Sequence, residues 1–489
     1  MGWARAAVGL VAVMAAGALL VSGGHEADPE TPAGLPGMPP PFLGVAVLGD
    51  GGLAAAVDAY GNVVDLRPGP AGRALIDNPA DRQAAGTVDP ETGIQVWVRV
   101  GGGPAKPMWE ADSIRQRYLP GTNVLRTDAW FGERRVVIEQ AALGGQLAVV
   151  ARGDSAVALR VHGGGATLTQ DPRVLAAAAA ADGRWLDRAR PLGPGAPEWA
   201  REMYERSLLV LHALTDSRSG AVAAGARDGW AYVWPRDASA AAIAFAAAGY
   251  RAEAERVTRF LLGLGIEQAA RFHGDGSPVA GRAAQGDAIG WVGAASEAAG
   301  IIGSSKHAAR ILAGGQPIPW RDRADYWEGE PGEYLGNAIA SGEPAVDLLY
   351  EGQSQARLLR QPSEPDSGLD SAAAWAVRPF SQPRLYPAAR ATLARLVAQG
   401  TPYGITPGEG WPGGEDPWSA PTAWTAWSLA ALGERRQALR LMSALRRSAT
   451  PAGDLPERVD ARTGIPRSTT PLAWSHAFAI LALRELWPG

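Results

Sequence analysis

The chain has 489 residues, of which 46% are hydrophobic and 20% are charged. This length predicts about two or three domains, and the composition is typical of a globular protein with a large core. The 46 basic and 50 acidic residues give a net charge of −4, which excludes the basic surface that nucleic-acid-binding proteins use. The absence of cysteine excludes disulfides and thiolate catalysis. With only six histidines, we expect neither a metal site nor a cofactor.

The N-terminal segment 1–41 predicts an export signal and a linker. Residues 1–24 carry one early cation, Arg5, followed by the apolar run Ala6–Val21. This run has the length of a signal-peptide core and is shorter than the roughly 20 residues of a membrane span. We therefore expect an exported protein, with a cleaved signal peptide and a membrane anchor at the cell surface both left open. Residues 25–41 are rich in Pro and Gly and predict a linker.

Residues 42–190 show the pattern of short β-strands. Ile94–Val100 alternates apolar and polar residues, which is typical of a half-buried strand. Other strand-like runs are found at 44–48, 135–139 and 147–151. Glycine-rich turns separate these runs, which favours an antiparallel β-sandwich. An alanine-rich run at 175–181 is the exception and predicts a helical connector.

Residues 198–489 change to a helical period. Apolar residues recur at helical spacing in the segments 198–214, 238–248, 251–264, 387–399, 422–432, 437–446 and 472–486. Further helices are expected within 284–312 and 334–360. About ten to twelve helices with no strand pattern between them predict an all-α domain. The loops that join them favour a ring of helical hairpins over a simple bundle.

The loops between the predicted helices concentrate tryptophan beside ionisable residues. Twelve of the 18 tryptophans follow residue 200, and their flat faces suit a ligand that stacks. In the first of these loops, Tyr232 and Trp234 precede Arg236 and Asp237. A forked arginine donor and a carboxylate acceptor beside aromatic rings can bind the hydroxyl groups of a sugar. A helix N-cap is the alternative role for Asp237.

Two further loops place a carboxyl group near tryptophan. In Gln285–Trp291, the pattern favours Asp287 as a second helix cap over a contact with a substrate hydroxyl. Trp327 directly precedes Glu328, and a carboxyl group that is desolvated by tryptophan acquires the raised pKa that a general acid needs. An exposed acidic loop is the alternative interpretation of that segment.

The last two loops supply more tryptophans and a second carboxyl group. Trp411 and Trp418 lie in a loop shaped by Gly and Pro, where they either form a binding wall or pack structurally. Glu457 could activate water as a general base, although a solvated surface position fits its segment equally well. Downstream, Trp474 precedes His476, which by itself predicts a packing residue.

The segments 232–237, 325–328, 455–458 and 471–476 resemble, in this order, the motifs of glycoside hydrolase family 15. That family contains glucoamylases, glucodextranases and some trehalases. All four motifs fall within 198–489, and residues 42–190 are similar to the β-sandwich that precedes the catalytic domain in bacterial members. The resemblance implies an N-terminal antiparallel β-sandwich followed by an all-α (α/α)6 catalytic barrel.

The resemblance also implies a reaction and roles for residues. Glu328 would be the general acid and Glu457 the general base of an inverting, exo-acting α-glucoside hydrolase, which releases β-glucose from non-reducing ends. Arg236 and Asp237 would hold the terminal glucose of an oligosaccharide or polysaccharide. The candidate aromatic contacts with this substrate are Tyr232, Trp234, Trp327, Trp411, Trp418 and Trp474.

The chain departs from the family pattern at two positions. Gly329 follows Glu328, where many members carry a second acidic residue. Asp416 precedes Pro417 and Trp418, and this loop lacks the arginine that fungal glucoamylases carry there. These changes leave the glycosidic linkage and the substrate length open. Two alternative functions also stay open, a trehalase that uses the same two carboxylates and a non-catalytic surface protein that binds carbohydrate.

Overall fold

The computed structural model describes residues 46–77, 93–153, 156–162, 167–302, 320–342, 345–352 and 357–489. The predicted export segment (1–24) and linker (25–41) lie outside these residues, as does the start of the strand predicted at 44–48. Within the described part of the chain, no helix combines the length and the apolar character that crossing a membrane requires.

The N-terminal region forms two β-sheets. The first contains β1 (Ala46–Gly49), β2 (Ala54–Val57), β3 (Val63–Arg67), β4 (Ile76–Asp77), β5 (Gly93–Arg99), β6 (Ala105–Pro107) and β11 (Ala156–His162). The second contains β7 (Ser113–Tyr118), β8 (Leu125–Phe131), β9 (Arg134–Leu143), β10 (Gln146–Arg152) and β12 (Thr167–Thr169). The strands predicted at 94–100, 135–139 and 147–151 are therefore confirmed.

The order of the strands is β1-β2-β3-β5-β11 in the first sheet, with β4 paired to β3 and β6 paired to β5. In the second sheet the order is β12-β10-β9-β8-β7. Among the described strand pairs, β10 and β12 run parallel, and the others are antiparallel. The prediction of an antiparallel arrangement is thus correct except for this one pair.

Apolar side chains from both sheets meet in one hydrophobic cluster. Val96 and Val98 of β5 are buried in it together with Ile138 of β9. Trp97 lies on the opposite face of β5, where the guanidinium of Arg160 covers it at 3.3 Å from the ring centroid. This alternation follows the two-residue period of a strand, and the shared cluster agrees with the predicted sandwich.

The alanine-rich run forms helix α1 (Pro172–Leu186), which confirms the predicted connector. The carboxylate of Asp171 caps this helix by accepting a hydrogen bond from the backbone N–H of Arg173 at 2.9 Å. Leu175 and Ala178 are buried against the second sheet. The connector therefore packs as a part of the strand-rich region.

The C-terminal region is helical. Its described α-helices are α2 (Glu198–Ala213), α3 (Pro235–Ala248), α4 (Arg251–Leu262), α5 (Ala288–Ala298), α6 (Leu335–Ser341), α7 (Ala345–Gly352), α8 (Tyr386–Gln399), α9 (Ser419–Ala431), α10 (Arg435–Ser448) and α11 (Ala473–Leu486). The seven helices with predicted bounds all occur within three residues of those bounds. Helices α5, α6 and α7 lie within the two longer segments in which further helices were expected.

These helices are of two kinds. Helices α3, α9 and α11 are buried on nearly all sides, and α11 packs against both others. Helices α4 and α10 carry charged residues on an outer face and apolar residues on an inner one, the pattern of helices that cover a core. Gly249 ends α3 with a φ of 93°, a conformation that glycine adopts without strain. The buried helices bring the loops before α3, α9 and α11 close together.

Buried hydrogen bonds join the strand-rich and helical regions. The side chain of Arg206 donates to the backbone carbonyl of Thr122 at 2.9 Å. The hydroxyl of Tyr118 donates to the carboxyl of Asp454 at 3.1 Å. Because Asp454 lies three residues before Glu457, the strand-rich region directly supports the loop that carries the proposed base.

Candidate active site

One cavity of about 230 Å³ brings most of the predicted site residues together. The predicted residues that line it are Trp234, Arg236, Asp237, Trp327, Glu328, Trp411, Trp418, Glu457 and Trp474. The other lining residues are Ala224, Trp230, Arg282, Tyr326 and Leu472. These residues come from loops that are far apart in the sequence and meet at one end of the buried helices.

Arg236 and Asp237 lie in the first turn of α3, just after Pro235, and both are only 4% exposed. The guanidinium of Arg236 pairs with Asp287 at 3.0 Å and with Asp237 at 3.5 Å, and it donates to the Gln285 side chain at 2.9 Å. It also lies over the ring of Trp474, 4.7 Å from the centroid. This arrangement fixes the arginine at the cavity wall.

The helix-cap interpretation of Asp237 is wrong, and that of Asp287 is correct in position but not in hydrogen bonding. Trp234 occupies the N-cap position of α3, and Asp237 lies inside the first turn. Asp287 does occupy the N-cap position of α5, but its side chain makes no capping hydrogen bond and pairs with Arg236 instead. A buried guanidinium needs such a counter-charge, which outweighs the gain from a cap.

Burial raises the pKa of Asp237 to about 7, although Arg236 opposes this effect, and the nearby charges of Asp287 and Glu457 add to it. One carboxyl oxygen of Asp237 and the Nε of Arg236 are buried without a hydrogen-bond partner in the described protein. Such atoms are costly unless a ligand pairs with them. The pair therefore suits the hydroxyl groups of a bound sugar.

Glu457 is held from several directions. Its Oε1 accepts a hydrogen bond from the Trp230 indole at 3.3 Å, and its Oε2 accepts one from the Ser468 hydroxyl. Its backbone N–H donates to Thr469 at 2.9 Å, and its carbonyl accepts from Ser419, the first residue of α9, at 3.0 Å. Burial raises the pKa of Glu457 above the ordinary value, which the hydrogen bonds only partly offset.

His476 supports this loop from α11. The backbone N–H of Leu455 donates to its Nε2 at 2.9 Å, and its Nδ1 lies 2.9 Å from the hydroxyl of Ser207. Because Nε2 accepts a hydrogen bond, the imidazole is neutral and carries its proton on Nδ1. Burial lowers the pKa of His476 well below its ordinary value, which keeps it neutral. The predicted packing role of His476 is thus confirmed, and its contact positions the Glu457 loop.

Glu328 has a more open setting. Its side chain is 33% exposed, and it contacts the guanidinium of Arg282. Its backbone has a φ of 59°, which is unusual for a residue with a side chain. The turn is held by Asp325, whose carbonyl accepts from the N–H of Glu328 at 2.9 Å and whose carboxylate pairs with Arg360 at 3.1 Å. The turn aims Glu328 into the cavity beside Trp327.

The tryptophans form a continuous aromatic wall. Trp327 and Trp411 meet edge to face with centroids 4.9 Å apart, and Trp411 meets Trp418 in the same way at 5.0 Å. The guanidinium of Arg360 covers Trp327 at 4.0 Å from its centroid. Edge-to-face packing of this kind is favourable for aromatic pairs, so the wall is preformed before a ligand binds.

Tyr232 is the predicted site residue that does not line this cavity. It lines a neighbouring cavity, and its ring packs against Trp234 with a centroid distance of 6.4 Å. Three lining residues, Arg282, Trp230 and Tyr326, are not among the site residues predicted from the sequence. Tyr326 lies within the motif segment 325–328 and Trp230 lies two residues before the segment 232–237, so both could have been included, whereas Arg282 stands in a loop without any local signal.

Comparisons with known proteins found a family model and solved structures that are similar to this chain. Residues 198–266 match the family model described as Glycosyl hydrolases family 15. A crystal structure of a bacterial glucoamylase in complex with acarbose is similar over 91% of this chain and 94% of that chain, with a TM-score of 0.61 and 14% identity. A search among curated proteins found no match.

Other solved structures match a smaller share of this chain. A wild-type glycosidase matches 60% of this chain and 99% of its own, with a TM-score of 0.50 and 21% identity. A variant glycosidase in complex with glucose matches over the same shares with the same TM-score and 20% identity. At these identities the structural likeness establishes the fold, a strand-rich region followed by a helical one. The match to the family model over 198–266 includes three residues of the site, Trp234, Arg236 and Asp237.

Proposed function

We propose that this protein is a glycoside hydrolase of the family 15 type, an inverting, exo-acting enzyme that releases β-glucose from the non-reducing ends of α-glucans. One observation carries the proposal. Glu328 and Glu457 come from loops far apart in the sequence and line one small cavity, together with the buried pair Arg236 and Asp237. A cavity of about 230 Å³ favours the end of a glucan chain over its middle. The glucoamylase in complex with acarbose and the glycosidase in complex with glucose support a carbohydrate substrate.

In the proposed reaction, the two carboxyl groups act on opposite sides of the scissile bond. Glu328 protonates the glycosidic oxygen while Glu457 takes a proton from the attacking water, so the anomeric configuration inverts. Because burial raises its pKa, Glu457 is a stronger base than an ordinary carboxylate once it is ionised. For inversion we expect the carboxyl groups to be about 6.5–9.5 Å apart, with the water between them.

The architecture that we propose for 198–489 is a closed (α/α)6 barrel. The separation into buried helices such as α3, α9 and α11 and covering helices such as α4 and α10 supports it. We further propose that the protein is exported and is either secreted or anchored at the cell surface, as the segment 1–24 predicts. Fractionation of cells of the source organism would test this location.

Two other functions use the same site. A trehalase would employ the same two carboxyl groups on a different disaccharide. A non-catalytic protein that binds carbohydrate is favoured by the contact between Arg282 and Glu328, because a neighbouring cation opposes the protonated form that a general acid needs. The hydrolase remains the better proposal because both carboxyl groups face the cavity.

The experiment that tests the proposal is release of glucose by the purified protein, with the product anomer followed by NMR. Maltooligosaccharides, isomaltooligosaccharides and trehalose would be compared. We expect β-glucose as the first product from an α-glucan, and the preferred substrate would identify the linkage. Release of α-glucose would refute inversion, activity on trehalose alone would indicate the trehalase, and binding without hydrolysis would indicate the non-catalytic protein.

A further inference from the structure

A second cavity, of about 760 Å³, lies between the strand-rich and helical regions. On one side it is lined by Arg67 and the segment Ala71–Ala74, and on the other by Gly229, Tyr232, Arg271, the segment His273–Asp275 and Ser277. The backbone N–H of Gly274 donates to the carbonyl of Ala71 at 2.9 Å, which joins the two sides. The floor of the cavity is therefore formed where the two regions are in contact.

This interdomain cavity shares a wall with the active-site cavity. The guanidinium of Arg271 lies over two rings, at 4.9 Å from the centroid of Tyr232 and 5.6 Å from that of Trp234. Tyr232 lines the interdomain cavity and Trp234 lines the active-site cavity. Arg282 lies over Trp234 as well, at 5.8 Å, and contacts Glu328. Since a general acid faces the leaving group, this shared wall lies on the aglycone side of the scissile bond.

Arg271 is the most unusual residue of this wall. Its Nε is buried without a hydrogen-bond partner, and one terminal nitrogen makes only a long hydrogen bond, 3.4 Å, to the carbonyl of Gly229. No carboxylate of the described chain lies within ion-pair distance of it. A partly buried arginine without a counter-charge is costly. Its neighbour across the wall, Arg282, is a second cation, so the two repel each other in the absence of an anion.

The other charged groups of the interdomain cavity leave room for an anion. Arg67 is neutralised by a two-pronged pair with Asp65 at 2.7 Å. Arg73 is exposed at the cavity, and no ion pair to it occurs within the residues described. The lining carboxylate, Asp275, accepts hydrogen bonds from the backbone N–H and the hydroxyl of Ser277 at 2.9 and 2.6 Å.

We propose that the interdomain cavity binds an anionic group, such as the carboxylate of an acidic sugar, on the aglycone part of the substrate. Arg271 would pair with the anion through its forked donors, Arg73 would add a second positive charge, and the ring of Tyr232 would support the sugar that carries the anion. This inference rests on the proposed hydrolase function, since it assigns a substrate preference to the same site.

Two pairs of malto-oligosaccharide derivatives test the preference. Maltobionate and maltotrionate carry a carboxylate at the former reducing end, and maltitol and maltotriitol carry a neutral hydroxymethyl group there. We expect kcat/KM for at least one acid to exceed that for its neutral partner by about 5- to 10-fold at low salt, the effect of a partly exposed ion pair. Arg271→Gln should bring that ratio close to one, and about 0.5 M NaCl should reduce it in the native protein.

Matched variants distinguish the effect of the positive charge at this site from the general effect of removing a positive charge. Arg440→Gln removes an exposed arginine of α10 and should leave the ratio unchanged, and Arg271→Lys should retain part of it. Equal kcat/KM values within both pairs would overturn the inference and leave the proposed function standing. If no substrate is hydrolysed, calorimetry with the same ligands decides. Tighter binding of an acid that depends on Arg271 would support the anion site without the hydrolase function, and equal binding would overturn the site.

Discussion

Glu457 and Glu328 line the same cavity, yet the protein surrounds them in different ways. Glu457 accepts hydrogen bonds from Trp230 and Ser468, and its main chain is tied on both sides. Glu328 is one-third exposed and has the side chain of Arg282 as its charged neighbour. The proposed base must stay fixed on a water molecule, whereas the proposed acid faces the open side from which the leaving group departs.

The support of Glu457 also extends further into the molecule. Its loop is tied to His476 in α11 through Leu455, and to Tyr118 of the strand-rich region through Asp454. The turn of Glu328 is held by Asp325, which pairs with Arg360, 35 residues further along the chain and also in the helical region. One carboxyl group is therefore positioned by contacts from both regions of the fold, and the other by a turn that is held within the helical region. Four predictions test this difference.

The largest expected effect distinguishes the acid from the base. Glu328→Gln and Glu457→Gln should each lower kcat on a maltooligosaccharide by about 10²- to 10⁴-fold, because each removes one proton transfer. On α-glucosyl fluoride, whose leaving group needs little protonation, Glu328→Gln should regain most of its activity. Glu457→Gln should stay inactive, because the attacking water still needs a base. A fluoride electrode measures both rates.

Measurements of substrate binding and a control variant at another carboxyl group complete that experiment. Both variants should still bind maltose in calorimetry, since Arg236 and Asp237 remain in place. Glu330→Gln changes an exposed carboxyl group of the same loop and should keep its kcat. Equal recovery of the two variants on the fluoride would contradict the assigned roles.

The second prediction tests the long-range support of the base. His476→Ala leaves the N–H of Leu455 and the hydroxyl of Ser207 without their partner, which should cost about 1–3 kcal/mol of unfolding free energy. Because the Glu457 loop then loses its anchor, kcat should fall by about 10- to 100-fold, with KM changed much less. Urea unfolding and steady-state kinetics measure the two effects.

His212 offers a matched control for this loss of stability. It stacks on Trp185 with a centroid distance of 3.8 Å, and burial lowers its pKa to about 4. It does not contact the Glu457 loop. We expect His212→Ala to lower the stability without lowering kcat at a temperature where the protein is folded. A similar fall of kcat in both variants would show that His476 acts only through global stability.

Much of the architecture could be predicted from the sequence because it depends on periodicity. The apolar spacing predicted the helices 198–214 and 472–486 to within a residue at each end, and the strand 94–100 appears as β5. Motif order also indicated Glu328 and Glu457. The sequence could not predict which residues pair with each other when they are far apart along the chain. Asp287 looks like a helix cap locally, and its partnership with Arg236 arises only when α5 packs beside α3.

The same limit applies to two positions of the site. Arg282 has no local pattern, because its importance comes from a loop that folds back over Trp234 onto Glu328. The motif segment 232–237 predicts both Tyr232 and Trp234 as contacts of the sugar. In an extended segment residues i and i+2 lie on the same side, and the two rings do pack against each other, yet each lines a different cavity.

The third prediction tests the charged neighbour of the acid, Arg282. Arg282→Gln removes a cation that contacts Glu328 and that also lowers the pKa of Glu457, as the smallest of several effects in which burial dominates. Both limbs of the pH profile of kcat/KM should therefore move to higher pH, the alkaline limb more than the acidic one. Initial rates on maltotriose across the pH range measure this. An alkaline limb that does not move would show that Arg282 does not influence the acid in the working enzyme.

The smallest expected effect concerns the Ser468 hydroxyl. Burial raises the pKa of Glu457, and the hydrogen bond from Ser468 is the largest of the effects that oppose this rise. Ser468→Ala removes that hydrogen bond, so the pKa of Glu457 should rise further. A base works in its ionised form, so the acidic limb of kcat/KM should move to higher pH while the alkaline limb stays in place. At pH values below the limb, the loss of rate grows tenfold for each pH unit of movement, and near the optimum it should vanish. Movement of the alkaline limb instead would exchange the roles of the two carboxyl groups, because the buried one would then have to be the acid.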